Sequence, residues 1–338
     1  MQHHQEFFED FSGNKADSFI TLPQSGSSRI NYIASSKGKK YVVTYNENIR
    51  ENEAFFYFSN LFDSLDLNTP KVLLINEEKD LYVQEFLGDK TLSEIISGED
   101  LSERVRDLVK KSLKALFKLQ NKTLGVVDFS NSFEYESYDD LPIMHDLYYF
   151  KNFLVDVLEI EYHKSTLLKE FRKISGIIQQ LEPKVLMIRD FQSRNILVNE
   201  NDDVFFIDYQ SAMEGPAAYD VISFLYQAKA NFPTHFKEEM LEYYLSFWGN
   251  ESNKETLKKS FNWMKMIRFL QVLGAYGFRG LIQRKPHFLA SLFQGIDNIF
   301  ELSQSWKEIS DEFPELNAVI KKLKTQDIML KIEGLIIE

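Results

Sequence analysis

Three polar residues in one short stretch, Asp190, Asn195 and Asp208, are of the types that phosphoryl transfer requires. Asp190 lies in MIRDFQSRN, five residues before Asn195, and Asp208 follows 18 residues after Asp190. Between the last two runs ILVNENDDVFFID, two short apolar stretches joined by a polar loop, which is the pattern of a β-hairpin. Antiparallel pairing then brings Asn195 and Asp208 to the same end of that hairpin. An amide oxygen and a carboxylate so placed form part of a hard-oxygen site suited to Mg²⁺, a cation that keeps water and substrate phosphate among its ligands. Asp190, a few residues away, can accept the proton of a substrate hydroxyl or orient it. A metal against phosphate charge and a carboxylate aligning the acceptor are the parts needed to move a γ-phosphate. The bland alternative is an Asp–Asn turn network beside an ordinary hairpin.

The elements around this stretch divide the chain into two halves. Residues 18–88 carry the β-rich runs SFITL, INYIAS, KYVVTY, KVLLI and LYVQEFL, interrupted by the amphipathic segment NEAFFYFSNLFDSL, which reads as a helix. From residue 92 onward helical periodicity dominates: Val105, Leu108, Val109, Leu113 and Leu116 trace one face, and Leu167, Phe171, Ile174, Ile178 and Leu181 another. Further helices are expected at 216–229, 234–248, 252–275 and 287–304, with the hairpin as the exception in a helical half. The division expected is residues 1–88 as a nucleotide-binding lobe and 89–338 as a helical catalytic and substrate lobe, with a hinge near 88–91.

DFQSRNILV followed by FFIDYQSAMEGPAAYDVISFLY resembles the aminoglycoside phosphotransferase and choline kinase-like family, and within it the branch of anomeric N-acetylmuramate and N-acetylglucosamine kinases. LPQSGSSRINY, NIRENEAFFYFS, YVQEFLGDKTL and RFLQVLGAYGFRG resemble the nucleotide loop, small-lobe helix, interlobe segment and large-lobe helix of that branch, so the likeness runs from about residue 5 to residue 305. The resemblance implies an α+β, protein-kinase-like fold with a small β-rich lobe and a larger helical one. It implies Asp190 as catalytic residue, and Asn195 and Asp208 as ligands of Mg²⁺. Gly26, Ser27 and Ser28 match the loop over the nucleotide phosphates, where a missing Cβ and exposed N–H groups help. Glu85, Phe86 and Leu87 match the segment whose backbone binds the nucleobase edge. The implied donor is ATP or GTP, and the implied acceptor an amino sugar, at its anomeric hydroxyl. Another small alcohol (an aminoglycoside, choline or homoserine) and a catalytically silent nucleotide-binding module are the alternatives.

Two positions depart from the family pattern. Ile188 stands where a His usually begins the catalytic loop. Thr44 stands where many kinase-fold enzymes have a strand Lys that pairs with a helix Glu and grips phosphate. Arg29, in QSGSSR, is a candidate to supply that charge, with a solvated surface Arg as the alternative, and Glu51 or Glu53 is the candidate helix partner. Arg189 and Arg194 flank Asp190 and could stabilise transferring phosphate or bind Asp220. Gln210 faces either a ligand or the local backbone, and Asp220 is expected to orient the catalytic loop. Arg268 and Arg279 either reach the cleft from the late helix or, the preferred reading, lie on a solvated helix face.

Composition narrows the remaining classes. The formal net charge of −12 argues against a general nucleic-acid or anionic-membrane binder. Zero cysteines exclude disulfides and thiolate chemistry. There is no GxxxxGK[ST] loop, no GxSxG elbow and no HExxH pair, and GAYGFRG follows a helical stretch, so it is no dinucleotide fingerprint. Without a long apolar run the chain reads as cytoplasmic.

Overall fold

The computed structural model of this chain describes residues 1–23 and 29–337. The chain forms two compact units: unit 1 is Met1–Glu136 with Ile188–Met213, and unit 2 is Ser137–Met187 with Glu214–Glu338.

Unit 1 opens with helix α1 (Gln2–Ser12), followed by strands β1 (Ser18–Thr21), β2 (Ile30–Ser36) and β3 (Lys39–Tyr45). Helix α2 (Ile49–Ser64) precedes β4 (Val72–Ile75) and β5 (Leu81–Glu85), completing an antiparallel sheet of order β1-β2-β3-β5-β4. Alternation along these strands sends Tyr32, Ala34, Val43, Leu81 and Val83 to one face. There they bury together with Phe8 of α1, so the amphipathic N-terminus is a lid on the sheet. Helix α2 begins three residues earlier than NEAFF suggested, because Asn48 caps it by accepting from the Glu51 N–H. Asn46 and Asn52 lock this start: Asn52 Nδ2 donates to the Asn46 and Lys79 carbonyls, both at 2.8 Å, and Asn46 Nδ2 donates to Asn52 Oδ1 at 2.9 Å.

A short strand β6 (Lys90–Thr91) then leads into α3 (Leu92–Glu99), started by a capping box of Thr91 and Glu94, and into α4 (Glu103–Lys122). In unit 2, α5 (Asp140–Phe150), α6 (Lys164–Ile178) and β7 (Lys184–Met187) follow. The chain returns to unit 1 for the hairpin β8 (Ile196–Val198) and β9 (Val204–Phe206), which β6 joins as a third strand. The hairpin turn is built by Asn199, whose Oδ1 accepts from the Asn201 and Asp203 N–H groups, while Asp202 takes φ +57°.

Unit 2 resumes with β10 (Met213–Pro216), paired with β7 in a two-stranded sheet that periodicity had not shown. Helices α7 (Ala218–Leu225), α8 (Thr234–Leu245), α9 (Glu251–Tyr276), α10 (Pro286–Ser305), α11 (Glu308–Glu312), α12 (Pro314–Leu323) and α13 (Gln326–Ile337) complete it. Helix α7 stops at Leu225, short of the expected 229. Gly274 and Gly277 near the end of α9 explain GAYGFRG: a Cβ on Gly274 would lie 2.7 Å from the Phe150 nitrogen, and one on Gly277 2.8 Å from the Phe153 carbonyl carbon. These glycines let helices pack backbone to backbone. No helix among the described residues is long and apolar enough to cross a membrane.

Candidate active site

The hairpin holds its register through Ile196↔Phe206, Leu197↔Phe205 and Val198↔Val204, and the Ile207 N–H extends the pairing by donating to the Asn195 carbonyl at 3.0 Å. Asn195 and Asp208 therefore meet at one end, where Asn195 Nδ2 lies 3.4 Å from Asp208 Oδ2 and 3.3 Å from Asp190 Oδ2. Asn195 also donates to the Asp190 carbonyl at 2.9 Å, tying the catalytic-loop candidate to the hairpin. Asp208 has φ +64°, a left-handed conformation that Asp tolerates better than most residues; Arg189, just before Asp190, has φ +71°.

What holds Asp208 in that conformation is the residue after it. Tyr209 is fully buried, stacked on Phe55 of α2 at 5.1 Å and edge-on to Phe62 at 5.1 Å. Its hydroxyl meets Ser59 Oγ at 2.7 Å, and burial raises its pKa well above the usual phenol value. Tyr209 thus anchors the segment carrying Asp208 to the helix carrying Glu51.

Between those two acids lies Arg29. Its Nη2 donates to Asp208 Oδ1 at 2.6 Å and stands 3.5 Å from Glu51 Oε1. Burial opposes the charge on Arg29, but Asp208 and Glu51 outweigh it and its pKa is raised. Glu53 is occupied elsewhere, paired with Lys79 at 2.6 Å, so Glu51 is the helix acid that faces the site. Thr44 is neutral and buried, donating to Asn31 Oδ1 at 2.8 Å and accepting from Gln84 Nε2 at 3.1 Å.

Gln210 joins the cluster by donating from Nε2 to Asp208 Oδ1 at 3.0 Å, while its Oε1 is buried without a hydrogen-bond partner. Asp190 accepts from Arg194 Nη2 at 2.9 Å and from Gln192 Nε2 at 2.6 Å. Gln192 was missed from sequence; its place two residues after the catalytic candidate was the available signal. Gly26, Ser27 and Ser28 lie outside the described residues.

Glu85 ends β5 opposite Tyr41, its N–H donating to the Lys71 carbonyl at 3.0 Å. Phe86 and Leu87 follow, lining with Lys40, Gly88 and Val198 a cleft of about 580 Å³ in unit 1 that does not include Asp190, Asn195 or Asp208. Asp220 is wholly buried in the first turn of α7, in unit 2. Arg268, in α9, is buried as well, with Nε donating to Ser223 Oγ at 3.0 Å and its guanidinium bonded to Gln271, which removes it from a solvated helix face.

The donor set fits a divalent cation of the Mg²⁺ type. Among the described residues, Asp208 Oδ2 has only the long Asn195 contact, and Gln210 Oε1 is a buried acceptor without a hydrogen-bond partner. No group of three His, Cys, Asp or Glu side chains that could hold a metal occurs among the described residues.

The profile of the family described as "Phosphotransferase enzyme family" matches residues 20–258. The chain belongs to this family. It is a small-molecule kinase, and similarity to named kinases supports the same reading. The N-acetylmuramate/N-acetylglucosamine kinase of Pseudomonas putida is 22% identical over 322 residues, covering 90% of this chain and 89% of the relative. That of Pseudomonas aeruginosa is 23% identical over 247 residues, covering 70% and 69%. Among solved structures, a choline kinase from Streptococcus pneumoniae superposes with TM-score 0.61 at 12% identity, over 88% of this chain and 99% of its own. An aminoglycoside phosphotransferase, APH(4)-Ia, holding ADP and hygromycin B superposes with TM-score 0.59 at 15% identity, over 89% and 98%. The kinase thus has the protein-kinase-like α+β fold that its sequence motifs imply, and it uses a nucleotide donor.

Proposed function

We propose that this kinase moves the γ-phosphate of a nucleoside triphosphate to a hydroxyl of an amino sugar of the N-acetylmuramate or N-acetylglucosamine type. The observation that carries this reading is the match to a sugar kinase over nine-tenths of both chains.

In this reading Asp190 receives or orients the acceptor hydroxyl proton, and Gln192 and Arg194 hold its carboxylate in place. Asp208 and Asn195 would hold Mg²⁺, which supplies charge neutralisation for the phosphates when bound. Arg29, braced by Glu51, takes the part of the strand Lys that Thr44 replaces. Gly26, Ser27 and Ser28 cover the phosphates, and the peptide groups from Glu85 to Leu87 meet the nucleobase. Residues 1–88 serve the nucleotide, and the remainder the acceptor. Arg189 and Asp220 support the catalytic loop.

The test is a phosphate-transfer assay with Mg²⁺, ATP or GTP, and a panel of N-acetylmuramate, N-acetylglucosamine, hygromycin B, choline and homoserine. Turnover on the two sugars, with loss of the reducing end as the anomeric hydroxyl is phosphorylated, is the expected result. Faster turnover on a cationic acceptor would overturn the sugar assignment and leave the kinase assignment standing. Asp190→Asn is expected to lower kcat by about 10²–10⁴ while nucleotide affinity is kept. Full turnover by that variant would end the role given to Asp190.

A further inference from the structure

Unit 2 gathers two cations around one ring. Tyr226 directly follows α7, Lys237 lies in the first turns of α8, and Lys265 lies in the middle of α9. Lys237 Nζ is 5.1 Å from the Tyr226 ring centroid and Lys265 Nζ is 4.7 Å from it. Phe269, one turn beyond Lys265, packs on the same ring at 6.1 Å. Tyr226, Lys237 and Lys265 are partly buried, and Phe269 is buried.

Partial burial without a carboxylate at ion-pair distance, among the described residues, is what the two lysines share. Some lysines of unit 2 do reach a carboxylate: the partly buried Lys254 with Glu251 at 2.7 Å, and the exposed Lys258 with Glu242 at 3.3 Å and Lys331 with Glu159 at 2.6 Å. Among the described residues neither Lys237 nor Lys265 has a carboxylate at ion-pair distance; Glu301 pulls on Lys237 and Glu238 on Lys265 only from further off. Burial lowers the pKa of both, and the charge of Lys237 lowers that of Lys265 further. An ammonium half out of water without a counter-ion costs stability, and a tyrosine face offsets only part of that cost. The whole chain has 51 acidic against 39 basic side chains, so an acid to neutralise the pair was not in short supply.

We propose that Lys237 and Lys265, on the floor formed by Tyr226, are a binding site for a small oxyanion. Two ammonium groups, each within about 5 Å of one ring centroid, offer paired cationic donors to a compact carboxylate or phosphate. The shared chemistry has two sources: the acid side chain of a sugar such as N-acetylmuramate, or a phosphate group. The first rests on the amino-sugar reading above; the second does not.

The test uses the full chain and limiting amine acylation at mildly alkaline pH, read by peptide mass spectrometry. Without ligand, Lys237 and Lys265 are expected to acylate faster than the exposed Lys321. N-acetylmuramate at about ten times its dissociation constant should slow both about tenfold by mass action, while N-acetylglucosamine, which lacks the carboxylate, leaves them unchanged. Protection by inorganic phosphate but not by N-acetylmuramate assigns the site to phosphate and keeps the proposal. In Lys265→Gln, protection of Lys237 should be lost, and in Lys265→Arg retained. Protection by neither anion, or equal protection by N-acetylglucosamine, overturns the proposal. A chain that phosphorylates neither sugar yet shows anion protection defeats the sugar reading alone.

Discussion

At the scale of single residues, the proposed function gives one arginine the part that a lysine plays in many kinase-fold enzymes. The strand position that often carries a phosphate-gripping Lys is Thr44, whose hydroxyl is spent on Asn31 and Gln84. The cation enters instead from the residue before β2, where Arg29 bridges Asp208 and Glu51. A guanidinium is longer, planar and always charged, so it can span two acids from a neighbouring strand where a Lys would have to come from beneath. Arg29→Ala is expected to raise the Michaelis constant for the nucleotide about tenfold or more, because it removes a cation and leaves Asp208 and Glu51 facing each other. Arg29→Lys should recover part of the loss. Unchanged nucleotide kinetics in Arg29→Ala would show this Arg to be structural only.

At the scale of elements, two packing devices carry the load. Tyr209 pins the strand that bears Asp208 to α2 through Phe55, Phe62 and Ser59, so the helix acid and the hairpin acid keep their spacing. In unit 2 the glycines of α9 allow a close helix crossing, and Gly277 meets the carbonyl group of Phe153 where a methyl would have no room. Gly277→Ala is expected to destabilise the fold by about 1–3 kcal/mol, because backbone atoms cannot swing aside as a side chain can. A chemical denaturation midpoint equal to that of the parent chain would refute that account. The substitution adds a better helix former, so propensity alone predicts the opposite sign.

At the scale of the molecule, the proposed Mg²⁺ would enter with the nucleotide, since Asn195 and Asp208 leave most of its ligands to water and phosphate. Chelation with EDTA is therefore expected to abolish turnover with no shift in thermal midpoint, and added Mg²⁺ to restore it. Mg²⁺ with nucleotide at about 100 times the dissociation constant should stabilise the protein by about 2.7 kcal/mol through mass action. A drop in midpoint on chelation alone would mean that a structural ion had been overlooked.

The sequence by itself determined the reaction class, because Asp190, Asn195 and Asp208 are close along the chain and a hairpin of alternating residues leaves few ways to arrange them. Local capping and turn chemistry, such as Thr91 with Glu94 and the Asn199 turn, is equally legible, since each contact spans a few residues. Tertiary structure alone decided what depends on distant partners. Glu51 rather than Glu53 faces the site because the start of α2 is fixed by Asn46 and Asn52 against the Lys79 carbonyl. Arg29 meets Asp208 across 179 positions of sequence, a pairing that no periodicity encodes. That Lys237 and Lys265 have no carboxylate at ion-pair distance among the described residues is invisible in a chain of net charge −12, because charge balance along a sequence says nothing about which charges meet in space.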